Sequence, residues 1–206
     1  LDDIAWTFNL RGSDVEYNPV FLSYALIDQN KTILFVNEVK LPVQLKLQLV
    51  NEGIQIQEYR TIFDYVKSTS PGAVVYIDQD KTNQALVVSL PKSCSVIEGT
   101  SIPCLLKAQK NKTEIANLRK TMKKDGVAMV QFWYWLEKTI GKEKLTEYDI
   151  AVRINEFRQK QKNYKGESFS PIIGYKEHGA MVHLKVDQQN ALEVKKDDIL
   201  LIDSGG

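Results

Sequence analysis

The strongest constraint on this chain is one apolar stripe. Ile115, Leu118, Met122, Gly126, Met129, Trp133, Leu136 and Ile140 recur at steps of three and four residues, the period of an α-helix that turns one face to a core. Sustained over roughly seven turns, the stripe specifies a single long amphipathic helix. Asn111 and Glu114 have the spacing of a reciprocal cap at its start, and Gly141 supplies its stop. In this register Trp133 belongs to the core face, so the aromatic run from Phe132 to Trp135 reads as packing. Lys112, Arg119, Lys120, Lys123 and Lys124 read as the solvated face opposite the stripe.

A helix of this kind needs something to cover it, and the following sequence offers candidates. A second helix starts at Thr146, with Asp149 at the capping-box position and Leu145 placed to staple against Ile150, and runs to about Asn163. "ESFSPIIGY", "HGAMVHLKV" and "DDILLIDSGG" then read as strands, punctuated by Pro171 and Gly179. Up to about residue 108 the grammar differs. "VFLSYALID" and "KTILFVN" read as a hairpin joined by Gln29 and Asn30. "AVVYID" and "QALVVSL" read as later strands, and Pro42 to Gly53 brackets a helix. The fold class is α/β: a mixed-sheet α/β domain over 1–108, followed over 109–206 by a helix, helix, antiparallel-strand region.

Bulk composition narrows the functional classes. With 27 basic against 26 acidic residues and a net charge of +1, the chain has no overall electrostatic footprint for nucleic acid or an anionic membrane. Its apolar runs are far shorter than the roughly 20 residues a membrane-spanning helix takes. Cys94 and Cys104 are too far apart for a C-x-x-C pair and too few for a disulfide framework, so a cytoplasmic location is expected.

Two residues are candidates for chemistry. "ILLIDSGG" ends the chain: Ile199 to Ile202 read as a buried strand with Asp203 at its end. An unpaired carboxylate in a poorly solvated site is costly, so Asp203 is either a turn former before Ser-Gly-Gly or a metal ligand neutralised by a divalent cation. His183 alternates with Val182 and Leu184 on its expected strand, which suits either a hydrogen-bonded structural residue or a catalytic one. His178, beside Gly179, reads as an exposed loop residue.

"LDDIAWTFNLRGSDVEYNPVFLSYALI", "KNKTEIANLRKTMKKDGVAMVQFWYWLEK" and "SFSPIIGYKEHGAMVH", with "LLIDSGG" some twenty residues on, closely resemble the cytosolic type of aminopeptidase P, or Xaa-Pro aminopeptidase. The resemblance covers essentially the whole chain. It implies that residues 1–108 are the second creatinase-like α/β domain of such an enzyme. Residues 109–206 would be the N-terminal half of its pita-bread metallopeptidase domain, so that the chain is a piece of a longer hydrolase. Asp203 then matches one ligand of a dinuclear metal centre, usually two Mn²⁺, whose remaining ligands would lie beyond Gly206. His183 matches a histidine that binds the substrate near the scissile bond. The resemblance further implies proline-containing peptides as substrates, no bound metal and no activity in this piece alone, and a homo-oligomer, since a half-domain leaves apolar surface uncovered. The alternatives are a piece of an Xaa-Pro dipeptidase (prolidase) and a non-catalytic pita-bread binding protein.

Overall fold

The computed structural model describes residues 1–206, which form two compact units, Leu1–Lys110 and Asn111–Gly206. In the first unit, helix α1 (Asp2–Thr7) precedes a three-stranded sheet of β1 (Ser23–Ile27), β2 (Thr32–Val36) and β3 (Ile54–Gln57). β2 is central. It pairs antiparallel with β1 through the expected tight turn and parallel with β3 across helix α2 (Val43–Asn51). The run "ILFV" in β2 is buried on both sides because successive side chains point to opposite faces. Leu34 and Val36 join Ala5, Leu10, Phe21 and Leu49 in one core. Ile33 and Phe35 join Ile62, Val66 and Leu86 in another, contributed by α3 (Ile62–Lys67) and α4 (Gln84–Ser89).

A separate parallel pair, β4 (Val74–Ile77) and β5 (Ser95–Glu98), and helix α5 (Ile102–Ala108) complete the unit. The expected strand "QALVVSL" is in fact α4. The Asn83 side chain accepts the Ala85 N–H at 2.8 Å and caps a helix there; a short apolar run carries no period that separates helix from strand, and the cap decides.

The second unit opens on α6 (Lys112–Thr139), with the Asn111–Glu114 capping box formed in both directions. A second reciprocal cap, Thr146 with Asp149, starts α7 (Glu147–Gln159). Strands β6 (Ile172–Tyr175) and β7 (Leu200–Asp203) pair antiparallel, with Ile172 opposite Asp203 and Tyr175 opposite Leu200. The core holds Phe132, Leu136, Leu145, Ile150, Ile154, Ile173, Tyr175 and Val194, and it includes both residues of the expected staple.

The expected core face of α6 is displaced. Phe132 is fully buried, in line with Ala128 and Leu136, whereas Trp133 is 45% exposed and Leu118 and Met122 lie open. Lengths explain the open first turns. At about 1.5 Å per residue, α7 with 13 residues can cover only part of α6 with 28, so the first turns of the stripe have no partner within the unit. α7 also ends four residues sooner than its sequence suggests.

"GAMVHLKV" is not a strand. Lys176–Ala180 form a 3-10 turn, and turn bonds follow from Met181 N–H to the His178 carbonyl and from Leu184 N–H to the Met181 carbonyl, both at 3.1 Å. Only Leu184 of this segment is buried; Val182 is 77% exposed. The alternation that suggested a strand meets no surface to cover it.

Phe132→Ala is expected to destabilise the second unit by about 3–5 kcal/mol, the range for emptying a large aromatic site. Trp133→Ala should cost under about 1 kcal/mol, as at a half-exposed position; urea unfolding followed by far-UV circular dichroism would check both. In the first unit, burial pushes the Asp3 carboxyl up, but hydrogen bonds from Lys107, Lys81 and Ser101 outweigh it and hold the group far below the usual carboxylate range. The folded value is depressed, so this contribution is complete above the unfolded value, about 3.9, and is lost as pH falls below it. Asp3→Asn is expected to remove that part of the acid sensitivity in unfolding curves taken at pH values on both sides of about 4.

Candidate functional site

The two residues singled out in the sequence sit on the β6–β7 ladder and its connection. The register puts Asp203 at the Ile172 end, while the connection that carries His183 leaves β6 at Tyr175, at the other end. Four residues per strand separate the two ends by about 10 Å. Beyond Asp203 the backbone is tied down: Ser168 N–H donates to the Gly205 carbonyl at 3.1 Å, and Arg158 Nη2 approaches the Ser204 carbonyl at 3.5 Å.

Asp203 itself is exposed. This differs from the buried strand end expected from "ILLID", because β7 has a neighbour on one side only and the alternate residues Leu201 and Asp203 both face outward. In this position the carboxylate is hydrated and needs no internal counter-charge. His183 is also exposed, on the irregular segment after the 3-10 turn. No group of three or more His, Cys, Asp or Glu is arranged to hold a metal ion. A divalent cation takes four or more ligands. One exposed carboxylate does not by itself fit such a centre.

The polar residues that do converge are others. Glu147, the first residue of α7, is fully buried. Its Oε1 accepts the Tyr175 N–H at 2.7 Å and its Oε2 accepts the Leu192 N–H at 2.8 Å. His178 Nδ1 lies 3.1 and 2.9 Å from the same two oxygens. A carboxylate only accepts, so Nδ1 is the donor in this contact. His178 is therefore a half-buried partner of an internal acid and not the exposed loop residue expected. The negative charge also lies at the positive end of the α7 dipole.

Farther along α7, Arg158 is 3% exposed and pairs with Asp125 through Nε at 2.8 Å. Glu147, Ile150, Ile154 and Arg158 are spaced by three, four and four residues, so both charges lie on the apolar face of the helix. That placement, charges at core positions of a helical stripe, is the sequence signal for them. A cleft of about 570 Å³ borders Arg158 with Lys120, Lys124, Lys162 and Lys165; it contains neither His183 nor Asp203.

Close packing holds the segment to the sheet. A Cβ on Gly174 would meet the His178 carbonyl oxygen at 2.7 Å and the Gly179 Cα at 2.8 Å, so the 3-10 turn can lie on β6 only where that strand carries glycine.

Residues 1–114 match the creatinase/prolidase N-terminal domain and residues 116–206 match metallopeptidase family M24. The chain belongs to this creatinase/prolidase family. It is 37% identical over its whole length to Xaa-Pro aminopeptidase 1 of Dictyostelium discoideum, covering 33% of that protein. Its fold is similar to that of the X-prolyl aminopeptidase of Caenorhabditis elegans, described as a cytosolic enzyme with a dinuclear active site, with a TM-score of 0.88 and 27% identity over 99% of this chain and 34% of that one. The Xaa-Pro dipeptidase of Bacillus anthracis shares the fold at a TM-score of 0.67 with 16% identity, over 99% of this chain and 54% of that one. The chain spans about a third of the length of the curated relatives it matches. No helix is long and apolar enough to cross a membrane.

Titration of the 1–206 chain with Mn²⁺ is expected to give weak binding without a stoichiometric plateau, because a single carboxylate supplies too few donors. Calorimetry checks this: tight one-to-one binding that disappears in Asp203→Ala would mean that a complete site exists here.

Proposed function

We propose that this chain is the part of a metal-dependent Xaa-Pro aminopeptidase that contributes one metal ligand, Asp203, and one substrate-binding imidazole, His183. The enzyme removes the N-terminal residue from peptides with proline in second position. The observation that carries the reading is the state of Asp203: an acid at a fixed strand end, turned to solvent, within a segment that matches a metallopeptidase family. In this reading the other ligands come from chain beyond Gly206, the metal is manganese, and the enzyme is a cytoplasmic homo-oligomer. Residues 1–108 act as the second α/β domain and residues 109–206 as the first half of the catalytic domain.

His183 is exposed beside the buried Leu184, which leaves the imidazole free to hydrogen-bond a peptide and to meet charge that develops at the scissile carbonyl. Such a donor accelerates the reaction only to the extent that its bond strengthens in the transition state. The aminopeptidase reading is preferred to the dipeptidase because the 37% identical relative bears the former name, while the 16% likeness to the dipeptidase bears on the fold alone.

In the complete enzyme, His183→Ala is expected to lower kcat/KM on an Xaa-Pro peptide by a factor of about 100 or more, the size associated with losing one preorganised donor. Metal content should be unchanged by elemental analysis. An unaltered rate would return His183 to a purely structural role.

A further inference from the structure

The most deeply buried acid in the second unit has no part in the function proposed above. Glu147 is fully buried, and groups it does not need for its own helix surround it. Tyr175, whose N–H it accepts, is the last residue of β6. His178, which donates from Nδ1, lies in the 3-10 turn that follows. Leu192, whose N–H it also accepts, closes the same connection before β7. These partners stand at the two ends of one segment, residues 176–191, and His183 lies near its middle.

The far end is held twice. Leu192 N–H donates to Glu147 Oε2, and the Glu147 N–H donates back to the Leu192 carbonyl at 3.1 Å. Between Tyr175 and His178 the chain passes through Lys176 at φ +52°, a left-handed conformation that a lysine keeps only when its neighbours are fixed. Within the segment Leu184 is the one buried residue, and the 3-10 turn at its start also packs on Gly174 of β6.

We propose that Glu147 is a positioning residue: its carboxylate clamps both ends of the 176–191 segment and thereby sets the place of the His183 imidazole. No other side-chain type of this size performs the task. Two backbone N–H groups and an Nδ1–H all need acceptors, and a carboxylate presents acceptors on both oxygens, whereas a glutamine would turn an NH₂ toward one of the donors. The consequence for function rests on the role of His183 given above; the clamp itself does not.

The test uses the 1–206 chain, which contains two histidines, so imidazole signals report directly on the segment. In Glu147→Gln, amide exchange at Tyr175, at Leu192 and across 177–186 is expected to quicken at least tenfold, while Phe132, Ile150 and Ile154 keep their protection. The His183 imidazole resonance should move to its position in the denatured chain. Exchange that rises evenly through the second unit, or that does not change, overturns the proposal.

If Glu147→Gln does not fold, His178→Asn retains the acid and both backbone bonds and removes only the imidazole arm. It should loosen 177–183 and shift the single remaining histidine signal while Leu192 stays protected; an unshifted His183 signal overturns the clamp. Neither readout involves catalysis. Failure here leaves the aminopeptidase reading standing, and an inert His183→Ala enzyme leaves the clamp standing.

Discussion

The second unit depends on a carboxylate with no access to water. Removing an ionised acid from solvent costs several kcal/mol, and Glu147 offsets this with two backbone N–H donors and one imidazole, each a hydrogen bond to a charged group and so stronger than a neutral one. The same three bonds join elements that are distant in sequence: the start of α7, the end of β6 and the return toward β7. Apolar packing of Ile150 and Ile154 against Phe132 and Ile173 brings these elements together without direction. The acid fixes where each of them stops, since a misplaced end would leave a buried charge short of donors.

The first unit solves a similar problem differently. Its central strand β2 is buried on both faces and needs only apolar side chains there. Its buried acid, Asp3, meets two lysines, with Nζ atoms at 2.8 Å from Lys107 and 2.9 Å from Lys81. Both lysines reach the surface along their apolar stems. The ion pairs tie the first helix to the end of the unit without a fully enclosed charge.

Much of this was legible in the sequence, and the failures share a cause. Both capping boxes, the hairpin and the Pro42-to-Gly53 helix rest on local chemistry, and the structure has them where the residues put them. Trp133, the "GAMVHLKV" strand and the depth of Asp203 turned on which surface happens to lie opposite, and no local pattern encodes that. "QALVVSL" fell between the two, because its apolar run is ambiguous while its Asn83 cap is not. Glu147 and Arg158 were legible in principle, as charges at core positions of a helical stripe.

The contact between Gly174 and the 3-10 turn bears on how such a protein can diversify. The atoms that a Cβ would strike are backbone atoms of His178 and Gly179, so no rotamer change elsewhere relieves the collision, and any larger residue must lift the turn off the sheet. Substitutions that keep this packing are thus confined to side chains such as those along 181–191, most of which are exposed, while the height of the turn above β6 stays constant. What the segment displays can change without altering how far it stands from the strand beneath.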